Sequence, residues 1–423
     1  MDLTGDIATA APTPPTPPHI AELGRGTSQS GVRLYNERLI LSLIRRHAAL
    51  PKAEIARLTG LSAQATTVIV QRLEADGLLR RLPPRRGRVG QPSVPFALAP
   101  GGAFALGLKI GRKSSDLVLL DFTARVRHAA SQPHAYPEPR AVCAFVATRA
   151  EAMLAGMRPR ERARIAGLGI AIPFELWNWE REVGAPRAVM DRWREFDIRR
   201  ELGAMVPIPV YLCNDATSAC AAELFFGEGF RYRDFLHIFI GSFVGGGLVL
   251  DGNLFLGRTG NAGAIGSVPV TSRLPGGRPH RQQLIRSASI HVLEKALTAA
   301  GRDASPLWRT PDDWGGLGAI LDDWIARAAD DLAQAIVAAN AVVDFEAAII
   351  DGALPRTVLA RIVERTAAAI QRLDLQGLAP VAILPGTIGP QARAIGAAAL
   401  PFLAHFARDR EVLFKQLSGA PTL

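Results

Sequence analysis

The 423-residue sequence predicts an α/β protein in which a small, basic three-helix domain precedes a larger body of two mixed α/β lobes. The length suffices for two or three domains of roughly 150 residues, and an apolar content of 48% allows each to bury a core. Residues 31–92 contain twelve Lys or Arg and four Asp or Glu, so this segment carries +8 of the net charge of +10. Such a local excess is what a phosphate-binding domain requires, although a solvated charged face has the same composition.

Composition also excludes several protein classes. No stretch reaches the roughly 18 apolar residues of a membrane span, and Pro and Thr stand where a secretory signal has its apolar core. We therefore expect a cytoplasmic protein. Cys143, Cys213 and Cys220 lack the Cys-x-x-Cys spacing of a zinc site, which predicts three reduced, buried thiols.

The first helix is predicted to follow a disordered tail. Residues 1–30 include a proline-rich run at 11–18 that cannot form a helix and has little apolar surface to bury. From Tyr35 onward the apolar residues recur at helical spacing, which predicts an amphipathic helix.

Two further helices are predicted around a glycine turn. Pro51 stands where the second helix begins, and Thr59-Gly60-Leu61 supplies the turn after it. Ser62 is expected to cap a third helix that runs to about Ala75. Residues 78–82 then predict a short strand, and 83–92 a basic loop. This order predicts a winged helix-turn-helix domain over residues 31–92.

In such a domain the third helix enters the major groove of double-stranded DNA. The residues expected to reach base edges are Ser62, Gln64, Ala65, Thr66 and Thr67. Gln64 is the best suited of them to a bidentate contact with adenine. The residues expected at phosphates or in the minor groove are Gln71, Arg72, Arg85, Arg86 and Arg88.

An extended linker is predicted over residues 93–102, and the body follows it. Strand and helix candidates alternate from residue 105 to 226, and a similar rhythm restarts at 235. The predicted first lobe comprises residues 103–215 and 385–423. The second lobe, residues 216–384, is expected to carry the surface for a homodimer or homotetramer.

Several glycine-rich motifs carry a resemblance to a known family. These motifs, in chain order, are Asn214-Asp215-Ala216 with Glu223 and Gly227 after it, Gly241–Gly247, Asp251-Gly252, Gly257–Gly266, and Gly386-Thr387-Ile388-Gly389. The ordered series resembles the regulator branch of the ROK family (repressor, open reading frame, kinase). The resemblance implies a ribonuclease-H-like, actin-like fold shared with sugar kinases, with the ligand in the cleft between the lobes.

The sequence departs from the kinase members of that family at the phosphate loop. Lys109-Ile110-Gly111-Arg112-Lys113 replaces their Asp-x-Gly-Gly-Thr, so Arg112 blocks close backbone approach and Lys109 removes an acidic group near the metal. We therefore predict that nucleotide binding is lost, that the protein has no cofactor and is not an enzyme, and that Asp215 is a vestigial catalytic base.

The sugar and zinc segments of the family are altered as well. Ala264 and Ser267 replace a Glu and a His, and residues 274–290 contain no Cys. His280 and His291 without thiolates make a poor zinc site, so no metal is predicted.

The resemblance implies a sugar or sugar phosphate as effector. The residues expected to contact it are Asn214, Asp215, Asn261, Ala264, Ser267 and Trp177. Asn214 and Asp215 would equally serve to cap a helix, and Trp177 or Trp179 would equally suit core packing.

Together these features predict a DNA-binding transcriptional regulator of carbohydrate metabolism, of the repressor type, with an inactive sugar-kinase-like effector domain. One alternative is an active ATP-dependent sugar kinase with an accessory DNA-binding module. The other is an oligomeric DNA-binding protein that responds to no effector.

Overall fold

The N-terminal domain is a winged helix, as the sequence predicts. The computed structural model describes residues 29–84, 93–179, 184–273, 279–309 and 312–407. Ser62 caps the third helix by accepting a hydrogen bond from the Ala65 amide at 3.1 Å. The elements are α1 (Gln29–His47), β1 (Leu50–Pro51), α2 (Lys52–Thr59), α3 (Ala63–Ala75), β2 (Leu79–Arg81) and β3 (Pro95–Leu98). The predicted DNA contacts Arg85, Arg86 and Arg88, and most of the predicted tail, lie outside the described residues.

The prediction of a linker over residues 93–102 is wrong for the first half of this segment. Pro95–Leu98 forms the central strand of the winged-helix sheet, antiparallel to both β1 and β2. Its apolar side chains are needed in the core of the domain, where Phe96 and Leu98 are buried.

The first lobe is built on a five-stranded sheet in the order β6-β5-β4-β7-β8. The three antiparallel strands are β4 (Phe104–Ile110), β5 (Ser114–Asp121) and β6 (Val126–Pro133), and the parallel strands are β7 (Ile165–Ile172) and β8 (Val210–Asn214). Its helices are α4 (Pro139–Ala155), α5 (Pro159–Arg162), α6 (Arg187–Glu195) and α7 (Ile198–Met205). The break between α6 and α7 arises because Asp197 caps α7.

The second lobe repeats this strand order. Its sheet runs β11-β10-β9-β14-β15, again three antiparallel strands followed by two parallel ones. The strands are β9 (Phe235–Ile240), β10 (Val244–Leu250), β11 (Asn253–Phe255), β14 (Ala347–Gly352) and β15 (Ala382–Pro385), with the separate hairpin β12 (Pro269–Arg273) and β13 (Pro279–Gln283). The helices are α8 (Asp215–Phe226), α9 (Ile290–Ala299), α10 (Pro306–Arg309), α11 (Ala319–Val343) and α12 (Arg356–Ile370). The last helix, α13 (Ala392–Phe406), returns to the first lobe.

Two helices join the lobes. Helix α13 packs on β4 and β7 of the first sheet, α8 packs on β9 and β10 of the second, and the two helices pack on each other. Their backbones touch at Gly396, where a Cβ atom would lie 1.6 Å from the Ser218 carbonyl oxygen. The lobes are therefore in contact through a closely packed pair of helices.

The three cysteines are buried and unpaired, as predicted. Among the described residues, no helix combines the length and the apolar character that a membrane span requires.

Candidate functional site

Helix α3 presents one exposed stripe. Gln64, Val68 and Gln71 follow each other at helical spacing on this stripe, and 60% of the Val68 surface is exposed. Ser62 is also exposed at the N-terminus of the helix, whereas Ala65 and Thr67 are half-buried. The stripe is the part of α3 that is free to contact a partner.

The prediction that Thr66 reads bases is wrong. Thr66 is fully buried, because it lies on the face of α3 that also carries Ile69, Val70 and Leu73 into the core of the domain. Sequence reasoning missed Val68, although its position one turn after Gln64 marks the exposed face.

Arg72 lies at the edge of this stripe and is half-exposed. Its guanidinium is 3.6 Å from a Glu37 carboxylate oxygen and 3.8 Å from that of Asp76. A phosphate would have to compete with these two carboxylates for Arg72.

Three of the twelve cations counted in the basic segment face the body of the protein. The guanidinium carbon of Arg45 lies 3.8 Å from the centroid of the Phe225 ring, and the side chain donates to the Phe122 carbonyl at 3.1 Å. Arg38 donates to the Ala404 carbonyl at 3.0 Å, and Arg46 donates to that of Phe230. The excess charge of the domain thus serves partly to seat α1 on the ends of α8 and α13.

A cavity of about 210 Å³ lies between the two lobes. Five of the predicted effector contacts line it, namely Asn214, Asp215, Asn261, Ala264 and Ser267. The cavity is smaller than the roughly 300 Å³ at which sites for drug-sized ligands begin, so it suits a small molecule.

Asn214 caps a helix, which is one of the two roles that its sequence position predicts. Its Oδ1 caps α8 by accepting hydrogen bonds from the amides of Ala216 and Thr217 at 2.9 and 3.3 Å. Its Nδ2 faces the Asn261 Oδ1 at 3.5 Å, across the cleft. A ligand can therefore reach the amide group without disturbing the cap.

Asp215, the first residue of α8, forms an ion pair with a cation on α13. Arg393 Nη1, near the start of α13, donates to Asp215 Oδ2 at 3.0 Å. The Arg393 guanidinium also lies 5.1 Å from the centroid of the Phe239 ring in the second lobe. The position predicted for a vestigial base is thus occupied by an ion pair inside the cleft.

The prediction that Trp177 contacts an effector is wrong, because this side chain packs against the apolar core of the first lobe. The short turn Leu176–Asn178 turns Trp179 into the cavity instead. There the Trp179 ring meets Phe243 of the second lobe edge to face, with centroids 4.3 Å apart. One aromatic contact therefore spans the cleft.

Lys109 lies in the segment that is predicted to replace the phosphate loop of the kinases. Its ammonium group donates to Asp116 Oδ2 at 2.8 Å and to Ser114 Oγ at 3.0 Å. Burial lowers the pKa of Lys109. A Cβ atom on Gly111 would lie 2.4 Å from the Lys109 Cε, so the lysine occupies the space beside the turn.

Arg112 joins the two lobes. It forms an ion pair with Glu294 on α9, and only 7% of its side chain is exposed. His291 bonds the same carboxylate at 3.0 Å, and Lys113 lies 3.7 Å from it. Burial alone would raise the pKa of Glu294. The hydrogen bond with His291 and the positive charges of Arg112 and Lys113 outweigh burial and lower this pKa to about 2. We call Arg112 and Glu294 the interlobe pair.

This fold and cleft define a winged-helix protein whose body is two-lobed and sugar-kinase-like. The chain belongs to the ROK family, which it matches over residues 105–402. Residues 35–88 match the MarR family, whose domain is a winged helix.

Individual relatives agree with the family. The chain is 26% identical over 372 residues to the uncharacterized protein y4fQ of Sinorhizobium fredii, covering 88% of this chain and 91% of that protein. It is 19% identical to the xylose repressor of Bacillus subtilis, covering 57% of this chain and 62% of the repressor. The crystal structure of a ROK family transcriptional regulator, a homologue of the E. coli MLC protein, superposes with a TM-score of 0.61 at 18% identity, covering 89% of this chain and 98% of that one.

Proposed function

We propose that the protein is a transcriptional repressor that binds double-stranded DNA through its winged helix and responds to a small molecule in the interlobe cleft. The observation that carries this proposal is the course of α8 and α13. Both helices begin at the cleft and end against α1, the first helix of the winged-helix domain.

The Arg393–Asp215 ion pair supports a mechanism for the response. It joins the two helices at their cleft ends, while Arg45 and Arg38 hold α1 at their other ends. A ligand that hydrogen-bonds to Asp215 competes with Arg393, which favours a different relative position of the helices. A ligand acts in this way only if it binds one arrangement of the lobes more tightly than the other.

The lining of the cleft favours a sugar or sugar phosphate. Asn214, Asn261 and Ser267 offer donors and acceptors for hydroxyl groups, and Trp179 offers a flat apolar surface to a sugar ring. The xylose repressor among the relatives supports the same ligand class.

The protein is proposed not to be an enzyme, although its family includes sugar kinases. Lys109 and Arg112 occupy the phosphate loop, and Arg393 holds the carboxylate that a kinase would use as its base. ATP consumption with a panel of hexoses and amino sugars is expected to be absent in both the wild type and the Asp215→Asn variant. Turnover that depends on Asp215 would favour the kinase alternative.

The protein is further proposed to act as a homodimer or homotetramer on a two-fold operator. Val342 on α11 and Phe255 on β11 are exposed by 86% and 46%, which supports a contact surface in the second lobe. Light scattering should show an oligomer that Val342→Glu weakens, and a monomer at micromolar concentration would contradict this assignment.

Binding to DNA from the gene's own upstream region tests the main proposal. Fluorescence anisotropy at physiological salt, with excess nonspecific competitor, is expected to show specific binding at least about 10³-fold tighter than nonspecific binding. Equal affinity for all fragments would refute it. A thermal-shift screen of sugars and sugar phosphates then separates an effector-responsive repressor from one that responds to no effector.

A further inference from the structure

Three metal-binding side chains meet in the interior, away from the cleft. Glu223 lies on α8, His237 on β9 and Asp351 on β14, and one ligand atom from each lies within 4.8 Å of the other two. All three side chains are fully buried, and none of them lines the cavity between the lobes. The cluster is therefore separate from the effector site.

His237 lacks hydrogen bonds in this position. Neither ring nitrogen has a hydrogen-bond partner in the part of the chain that the structure describes. Burying such a group without a partner costs roughly 1–3 kcal/mol.

Neighbouring cations compensate the charge of the two carboxylates only in part. Among the described residues no Lys or Arg pairs with Glu223, and the nearest cation to Asp351 is Arg356, 4.0 Å away with 55% of its side chain exposed. Two buried carboxylates so close together need a cation or a proton.

Backbone donors already orient both carboxylates. The amides of Thr387 and Glu228 each donate to Glu223 at 2.9 Å. The amides of Gly389 and Gly352 donate to Asp351 at 2.7 and 2.9 Å. Thr387 Oγ1 also donates to Glu223 Oε1 at 2.9 Å, so this oxygen accepts two hydrogen bonds, whereas Glu223 Oε2 and both oxygens of Asp351 accept one each. Each carboxylate therefore keeps an oxygen with a second lone pair, and these bonds resemble the outer contacts that fix the ligands of metal sites.

We propose that Glu223, His237 and Asp351 bind one divalent transition-metal ion, Zn²⁺ or one of its neighbours in the first row. One imidazole and two carboxylates suit these ions, whereas Mg²⁺ and Ca²⁺ prefer oxygen ligands alone. Ligand atoms of a tetrahedral ion with bonds of about 2.1 Å lie about 3.4 Å apart, so the three ligand atoms, which lie within 4.8 Å of one another, must approach by up to about 1.4 Å. The ion ties α8, the second sheet and the turn before α13 together, which makes it a structural element of the joint between the lobes.

The wild-type protein, purified through a tag without histidine, provides the first measurement. Elemental analysis is expected to show close to one equivalent of a transition metal. After dialysis against EDTA, added Zn²⁺ or Co²⁺ is expected to raise Tm by several degrees and Mg²⁺ to leave it unchanged. Less than about 0.1 equivalent of metal, with no change of Tm on addition of any of these ions, would overturn the proposal.

His237→Leu distinguishes this site from adventitious binding. It is expected to weaken metal binding by at least about 100-fold, since it removes the only nitrogen ligand. The matched control His128→Leu removes an exposed histidine on β6 and should keep the full equivalent. Without metal the His237→Leu variant should be at least as stable as the wild type, and in Zn²⁺ the order should reverse. Retention of the metal by His237→Leu would also overturn the proposal, and if this variant does not fold the wild-type measurement decides.

Discussion

At the scale of single residues, Gln64 is the side chain that we propose to read a base. It is exposed in the first turn of α3, and an amide that donates to N7 and accepts from the N6 amino group fits adenine. Gln71 lies on the same stripe two turns further along, where recognition helices meet phosphates rather than bases.

We predict that Gln64→Ala lowers discrimination at one base pair by about 1–3 kcal/mol. The matched control Gln71→Ala should weaken binding to all sequences evenly. Anisotropy titrations against an operator and its single-base-pair substitutions measure both effects. Equal losses on every sequence for both variants would show that Gln64 does not read a base.

The local features of the site could be predicted, and the long-range ones could not. The caps at Ser62 and Asn214 depend on amides within three residues, so a short sequence pattern determines them. The partner of Arg112 lies 182 residues away, and no local pattern identifies it. Trp177 and Trp179 are neighbours in sequence, and only the turn between them decides which one enters the cleft.

The interlobe pair yields a second prediction at this scale. Arg112→Ala leaves the Glu294 carboxylate without its main cation in a largely buried position, which is expected to cost about 3–5 kcal/mol of unfolding free energy. Lys113→Ala removes a half-exposed cation from the same carboxylate and should cost less than about 1 kcal/mol. The free energy of the first unfolding transition in urea, measured for the wild type and both variants, gives the two costs. Equal costs would mean that Arg112 does not hold the lobes together.

The pH dependence of this pair follows from Glu294. Its pKa is lowered to about 2 in the folded protein, so its contribution to stability is fully present above the ordinary glutamate pKa and is lost as the pH falls towards 2. The cost of Arg112→Ala should therefore be nearly the same at about pH 5.5 and about pH 8. A cost that disappears at the lower of these two pH values would contradict this assignment.

At the scale of elements, α8 and α13 connect the cleft to the winged helix through Arg45 and Arg38. Arg45 lies against the rings of Phe225, Phe122 and Phe226, at the end of α8 and beside β5. Contacts between a buried cation and aromatic rings contribute about 2 kcal/mol or more, so Arg45 contributes strongly to the anchoring of α1 on the body.

We predict that Arg45→Ala uncouples the two parts of the protein. DNA affinity without effector should stay within about tenfold of the wild type, because the exposed stripe of α3 is untouched, while the effect of the ligand on DNA binding should disappear. The control Arg33→Ala removes a cation on α1 that is 55% exposed and should leave the ligand response intact. DNA titrations with and without the effector measure this. A full ligand response in Arg45→Ala would refute the coupling.

The order of elements could be predicted better than their roles. Strand β7 and helix α4 follow clear apolar patterns, and both lie in the stretch from residue 105 to 226 where alternating strands and helices are predicted. Strand β3 could not be predicted, because the four residues after the basic loop carry no periodic signal. Its role as central strand depends on pairing with β1, which precedes α2 and α3 in the chain.

At the scale of the whole molecule, the two lobes share one strand order and differ in what they carry. The repeat is invisible in the sequence because a buried layer requires apolar side chains at certain positions, not particular residues. The first lobe carries α1 of the winged helix on the Phe122 end of β5, and the second carries the candidate metal cluster. The same architecture thus supports two different tasks.

The distribution of cations over the molecule limits the salt dependence of DNA binding. Arg38, Arg45 and Arg46 face the body, so nine of the twelve cations of the basic segment remain for phosphates. Each neutralised phosphate contributes about −0.9 to the slope of log K against log salt concentration, so the slope per protomer should not exceed about 8 in magnitude. Arg86→Ala should reduce it by about 1, and Arg46→Ala should leave it unchanged. Titrations between about 50 and about 200 mM salt measure the slope. A steeper slope, or an equal change for both variants, would mean that the body itself contacts the DNA.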